Sequence, residues 1–229
     1  MTKQFLKAIE KLRDMGYENI CYIGLYGSQN YNLDSESSDF DFRAIVVPTI
    51  NDLIRNKKTS KTYTYEYGEI DVKDIWTYYQ VVRKGNPSFI EPLISSYWSG
   101  NEEIRQLFSG FKPNPKAILG MMIQKIKRYV EKKDPKDFLH TARLRDLFSP
   151  EGDYISLPNK CYQVYIGNHR EEMLKFKTGD LPKHEPQDIY SLFDIEDISN
   201  LLEDYTYEYL NKDDEIVEFI KKELGGRYE

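Results

Sequence analysis

The chain is predicted to be an α+β protein: a small mixed sheet with helices, followed by a C-terminal helical part. Three observations predict this. Short apolar strand patterns alternate with helical periods through the first half. The segment Lys112-Pro113-Asn114-Pro115 then punctuates the chain, and beyond it strand signals fade. The composition, 40% hydrophobic and 14% aromatic over 229 residues, supports a real core in one large or two small domains.

The elements follow in order. Phe5, Ile9, Leu12 and Met15 recur at helical spacing, so residues 3–15 read as an amphipathic helix that Gly16 ends. Ile20 to Leu25 is a short apolar strand, and Gly27 breaks it to open a helix or turn carrying Ser28. Residues 32–38 are polar and loop-like, and Asp34 and Glu36 are read as ordinary loop acids. Phe40 to Val47 is a strong strand closed by Pro48. Residues 61–75 read as a hairpin with its turn at Gly68-Glu69; Tyr63, Tyr65 and Tyr67 alternate along it and cover a core. A helix runs through Tyr78 to Arg83. Gly85-Asn86-Pro87 then supplies a stop, an N-cap and a first helical position for a helix holding Phe89 to Ser95. Glu91 on that helix is expected to pair with a nearby base, and Trp76 and Trp98 are read as packing residues. Residues 116–133, 135–148, 159–177 and 196–224 all read as helices, the acidic tail from Glu203 being a solvated one.

Composition excludes several classes. No apolar run approaches a membrane span, so no membrane partner is expected. The N-terminus runs straight into an amphipathic helix and does not read as a signal peptide. Cys21 and Cys161 are too few for a disulfide framework or a zinc site, which predicts a cytoplasmic, reducing environment. With 32 basic and 38 acidic residues, the net charge of −6 argues against a long duplex nucleic-acid footprint, though not against a small basic cleft.

The chemistry concentrates in Gly27-Ser28, Asp39-Phe40-Asp41 and Ile70-Asp71-Val72. Strand residues two apart share a face, so Asp39, Asp41 and Arg43 point one way while Phe40, Phe42 and Ala44 face the core. Asp71, flanked by Ile70 and Val72, points away from the core, and a neighbouring strand can bring it alongside. Three converging carboxylates repel one another. Hard divalent ions such as Mg²⁺ or Mn²⁺ relieve that repulsion. A Gly-Ser turn can cradle phosphate oxygens. Together these predict a metal-dependent nucleotidyl-transfer site with Asp39, Asp41 and Asp71 as catalytic metal ligands in a two-metal mechanism. Gly27, Ser28, Arg43 and Lys73 are the candidates for holding the NTP substrate.

The order Gly-Ser, spacer, Asp-x-Asp, then apolar-Asp-apolar resembles the DNA polymerase β-like nucleotidyltransferase superfamily over about residues 20–75. Ser38-Asp39-Phe40-Asp41-Phe42-Arg43-Ala44-Ile45 and Lys84-Gly85-Asn86-Pro87-Ser88-Phe89-Ile90-Glu91-Pro92-Leu93 resemble the RNA-ligase-associated (YcgL-like) nucleotidyltransferases. That resemblance extends more loosely to about residue 182, through Lys136, His140 and Arg143 and then Arg170, Lys175, Lys177 and Gly179. Phe42 and Ala44 depart from the Val and Gly common in that family, without touching a proposed ligand. The resemblance implies a role in RNA repair. Lys136, His140 and Arg143 fall at i, i+4 and i+7, one helical face, and are expected to line the NTP cleft as its cationic wall.

The expectation is thus a nucleotidyltransferase core over 1–112 and a helical part over 113–229 packed on it. The enzyme would move a nucleoside monophosphate from an NTP to a hydroxyl and release pyrophosphate. The acceptor is an RNA end, such as that of a damaged tRNA. Rival acceptors are a protein hydroxyl or a small molecule such as an aminoglycoside. A rival of another class is a catalytically silent, antitoxin-like binding module, which would have no need of three clustered acids.

Overall fold

The structure, a computed structural model, describes residues 2–148, 154–156, 163–181 and 188–225. In chain order the elements are α1 (Thr2–Asp14), β1 (Ile20–Tyr26), β2 (Asp41–Val46), α2 (Ile50–Ile54), β3 (Ser60–Tyr65), β4 (Gly68–Asp74), α3 (Ile75–Val82), α4 (Pro87–Ile94), β5 (Trp98–Gly100) and α5 (Glu102–Leu107). There follow α6 (Pro115–Lys132), α7 (Pro135–Arg145), β6 (Tyr154–Ser156), β7 (Gln163–Tyr165), α8 (Gly167–Thr178), α9 (Ile189–Leu192), α10 (Ile195–Leu201) and α11 (Asp213–Gly225).

The main sheet has five strands in the order β3-β4-β2-β1-β5. Only β2 and β4 run parallel; the other neighbours are antiparallel, so the sheet is mixed. Its two faces carry different chemistry because side chains alternate along each strand. Phe42, Ala44 and Val46 of β2, Ile70 and Val72 of β4, and Ile23 and Leu25 of β1 form one core with Phe5, Ala8 and Leu12 of α1. Tyr63 and Tyr65 pack against the rim of that core. The opposite face presents Asp41 and Arg43, and the register sets Arg43 beside Asp71.

That second face is covered by the rest of the chain. Tyr22 and Ile45 join Tyr78, Ile90 and Leu93 of α3 and α4 in a core that continues through Met122 and Ile126 of α6, Phe138 of α7 and Ile216, Phe219 and Ile220 of α11. The helical part therefore shares its apolar interior with the sheet. Three of the helices begin the same way. Asn86, Asn114 and Asp134 each cap a helix whose next residue is Pro, their Oδ1 atoms accepting from the N–H two residues on at 3.0, 3.0 and 2.9 Å.

Several expectations need correction. The hairpin turns at Glu66-Tyr67, and Gly68 already pairs with Tyr65 as the first residue of β4. The helix expected over 159–177 instead begins at Gly167; residues 163–165 form β7, antiparallel to β6, and 159–162, with Cys161, lie outside the described residues. Val164 and Tyr165 are residue types that favour a strand. The helix expected over 196–224 is interrupted between Leu201 and Asp213. Tyr205, Tyr207 and Tyr209 alternate with polar residues there, a period of two that no helix face can use. The tail after it is not simply solvated, because α11 buries Ile216, Phe219 and Ile220.

The seating of α4 on β1 depends on Gly24. A Cβ at that position would lie 2.5 Å from Pro92 O, an impossible contact. The same carbonyl accepts from Tyr22 Oη at 2.9 Å, so it cannot retreat without losing that bond. Gly24→Ala should therefore destabilise the protein by about 1–3 kcal/mol, the usual cost of overpacking. Urea unfolding of the two proteins side by side checks this, and an unchanged midpoint would show that α4 can shift freely.

Candidate active site

A cavity of about 450 Å³ opens between the Asp41 end of the sheet and the helices α6, α7 and α8. Its wall on the sheet side carries Gly27, Ser28, Asp39, Asp41 and Arg43. Across it stand Lys125 of α6, Lys136, His140 and Arg143 of α7, and Lys177 of α8. Of the ten candidates, Asp39, Asp41, Gly27, Ser28, Arg43, Lys136, His140 and Arg143 line this cavity, whereas Asp71 and Lys73 do not.

The carboxylates differ in their surroundings. Asp39 is exposed at the mouth and Asp41 is half-buried at the start of β2. Burial raises the Asp41 carboxyl above the usual range; the Glu69 N–H, donating at 3.1 Å, opposes that rise, and Asp39 adds to it. A cation between the two acids would relieve both causes of the rise. Asp71 sits on the same sheet face but is engaged by cations of its own: Lys73 Nζ at 3.2 Å and Arg43 Nε at 3.7 Å. Among the described residues no three His, Cys, Asp or Glu side chains form a ready metal cage.

Arg43 is held by more than Asp71. Its guanidinium lies between the rings of Tyr26 and Phe89, 4.3 and 3.7 Å from their centroids, and donates to Ser88 O. Lys73 donates to Ser60 Oγ at 2.7 Å as well as to Asp71. Both cations thus serve the sheet and its third carboxylate.

The Gly-Ser turn is held by Glu91, which is expected from the sequence to pair with a base but instead accepts from neutral donors. Gly27 adopts φ +92°, which favours glycine, and its N–H donates to Glu91 Oε1 at 2.9 Å. That N–H is therefore committed inside the protein, and Ser28 is the part of the turn that faces the cavity. Glu91 also accepts from Asn30 Nδ2 at 3.2 Å and Tyr31 Oη at 2.5 Å. Burial raises its pKa.

The helical wall is cationic at Lys136, Arg143 and Lys177, but not at His140. Burial, then the Arg143 charge, pushes the His140 pKa down to about 3, so the ring is neutral at physiological pH. Arg143 Nη1 lies 3.3 Å from His140 Nδ1. An arginine can only donate, so Nδ1 accepts and the ring proton sits on Nε2. Arg143 rests 3.0 Å from the centroid of the Tyr31 ring, and its Nε is buried with no hydrogen-bond partner among the described residues. Lys177 donates to Leu33 O at 2.8 Å and Ser38 Oγ at 2.7 Å, tying α8 to the loop before Asp39. Lys125 donates to the buried Asp137 at 2.9 Å. Sequence reading assigns no role at the site to Lys125, Ser35 or Ser37, which also line the cavity, and it includes Ser38 only as the first residue of the motif before Asp39.

Comparison with known proteins identifies the family of the chain. The model of the RlaP family, described as the RNA repair pathway DNA polymerase beta family, matches residues 1–145. The chain belongs to that family, and its class is nucleotidyltransferase. Among solved structures, a nucleotidyltransferase-like protein from Exiguobacterium sibiricum 255-15 is 12% identical, the match covering 92% of this chain and 84% of that one with a TM-score of 0.28. At that score the likeness carries no structural argument. No curated protein matches the chain. No helix among the described residues is long and apolar enough to cross a membrane.

The neutral state of His140 has a consequence for stability. In the unfolded chain its pKa returns to about 6.5. Between there and about 3 the unfolded state binds a proton that the folded state refuses. Its contribution is thus intact above pH 6.5 and is lost as pH falls. His140→Gln should lose less stability than the wild type on going from pH 7 to pH 4, by up to roughly 3 kcal/mol. Urea titrations at the two pH values measure the difference; equal losses would mean the ring titrates normally.

Proposed function

We propose that the protein transfers a nucleoside monophosphate from a Mg²⁺–NTP to a hydroxyl on an RNA end. The observation that carries this reading is the cavity itself: paired Asp39 and Asp41 face Lys136, Arg143 and Lys177 in a chain of an RNA-repair polymerase β family. Acids alone would repel a triphosphate, and cations alone would need no metal. Their apposition suits a triphosphate carrying divalent ions.

The donor set fits Mg²⁺ or Mn²⁺. Mg²⁺ is commonly bound through one or two carboxylates, with substrate phosphates and water completing the shell, and needs no all-protein cage. Asp39 and Asp41 would hold it, with Asp71 as the third carboxylate on the same face. Bound there, the metal would offset phosphate charge and lower the pKa of the attacking hydroxyl. The remaining work falls to the chain. Ser28 and Arg143 hold the β- and γ-phosphates. Lys136 and Lys177 offset the charge that develops on the leaving pyrophosphate. Leu33, Met121, Leu139 and Leu144 line the apolar part of the wall and exclude water. The acceptor oxygen forms a bond to the α-phosphorus, the bond to the β-bridging oxygen breaks, and the acceptor's proton is lost to solvent.

The net charge of −6 favours a short RNA end seated in the cleft over a long duplex. Incubation with labelled NTPs and separate pools of RNA fragments, protein and aminoglycoside identifies the acceptor. Label on RNA is expected. Label on another pool would replace the acceptor, and label on none would support a silent binding module.

Two substitutions test the site. Asp41→Asn keeps the volume and an oxygen that can accept from Glu69. It should abolish transfer, by at least about a thousandfold if the carboxylate holds the metal. The unliganded protein should stay as stable as the wild type, because burial already disfavours the charge. Retained transfer would remove Asp41 from the metal site. Lys136 is exposed, so Lys136→Glu should fold normally. Its KM for NTP should rise about tenfold at low salt, and less at high salt, where the field is screened. A salt-independent KM would place Lys136 outside the nucleotide's field.

A further inference from the structure

We propose that Glu91 is the positioning residue of this site: it sets the Gly27-Ser28 turn and the Arg143 guanidinium against each other, and so decides where the nucleotide's phosphates sit. The proposal rests on the nucleotidyltransferase reading above.

Glu91 is only 2% exposed, yet it is a carboxylate in the wall of an anion-binding cavity. Neither fact favours its presence: burial costs solvation, and its charge repels a triphosphate. What it gains is geometry. One oxygen accepts from Gly27 N–H and Asn30 Nδ2, the other from Tyr31 Oη. Backbone N–H and amide NH₂ can only donate, so the carboxylate acts as an acceptor throughout. Asn30 is itself locked, donating to Leu25 O at 2.8 Å and accepting from Ser95 Oγ at 2.9 Å. Tyr31 presents its ring to Arg143 at 3.0 Å while its hydroxyl is held by Glu91. One buried carboxylate thus touches the turn directly and steadies Arg143 through a single ring. It joins three parts of the chain far apart in sequence: the turn after β1, α4 and α7.

This arrangement separates binding from positioning. Glu91→Gln keeps the shape and an acceptor oxygen but removes the charge. The cavity becomes more positive, so NTP should bind as tightly as before or tighter. The turn and Arg143 lose their common anchor, and small misplacements at a reacting centre are costly. The expected result, with Mg²⁺–ATP and an RNA acceptor, is a kcat at least about tenfold lower with KM unchanged or lower. The melting temperature should stay at the wild-type value. Tyr31→Phe, which keeps the ring under Arg143 but removes the hydroxyl, should show the same split more weakly. It carries the test if Glu91→Gln does not fold.

Hydrogen exchange at the Gly27 amide, measured without nucleotide, gives a second reading. It should quicken by about threefold or more in Glu91→Gln, because a neutral acceptor holds the N–H less strongly. Unchanged kcat and KM in both variants would overturn the proposal. A raised KM together with a lowered melting temperature would also overturn it, since that is the pattern of a purely structural carboxylate. If wild-type protein binds no Mg²⁺–NTP, the nucleotidyltransferase reading fails. Exchange at Gly27 then still decides whether Glu91 holds the turn: faster exchange in the variant upholds that part, and unchanged exchange overturns it.

Discussion

Pro92 O occupies the space that a side chain at position 24 would need. Much of the site follows from that contact. Because β1 carries no Cβ there, α4 lies directly against the strand, anchored by Tyr22 Oη on the same carbonyl. The preceding residue of α4 is Glu91, which is thereby delivered beneath the end of β1. There its carboxylate meets the N–H of Gly27 and the side chains of Asn30 and Tyr31. A helix seated even one ångström further out would leave three donors and a carboxylate buried without one another. Each such orphan costs on the order of 1–3 kcal/mol.

The electrostatics of the cavity are a division of labour among similar residues. Arg43 and Lys73 look like ligand-binding cations on a strand pattern, but both are engaged with Asp71, and Arg43 is clasped between two aromatic rings. The cations that face Asp39 and Asp41 come instead from three different helices. Lys136 and Arg143 share a face of α7, Lys125 reaches in from α6, and Lys177 bridges from α8 to the loop before Asp39. His140, in the middle of that wall, contributes a neutral ring, because a second positive charge beside Arg143 in a buried setting is too costly.

The two faces of the sheet are covered by different parts of the chain. The face packed by α1 is apolar and complete within the first half. The other face is polar near Asp41 and apolar near Ile45, and it needs the helical part to close over it. The same closure that finishes the core also forms the cavity's far wall. Folding of the helical part and assembly of the site are in that sense one event.

What the sequence determined by itself is whatever depends on local period and local chemistry. Alternation along β2 put Asp41 and Arg43 on one face and Phe42 and Ala44 on the other. Gly27 marked the break after β1, and Asn86-Pro87 marked the start of α4. The i, i+4, i+7 spacing put Lys136, His140 and Arg143 on one side of a helix. Helical spacing does not reach residues 163–165, which form β7, or residues 202–212, where Tyr205, Tyr207 and Tyr209 recur at a period of two. The tertiary structure alone decided the rest, because it depends on distance between residues remote in sequence. Glu91 lies 64 residues from the Gly27 it holds, and Lys177 lies 139 from Ser38. The protonation of His140 depends on burial, a property no spacing records. The engagement of Asp71 by Arg43 depends on which residue of β4 falls beside which residue of β2, and that register is set only when the two strands pair.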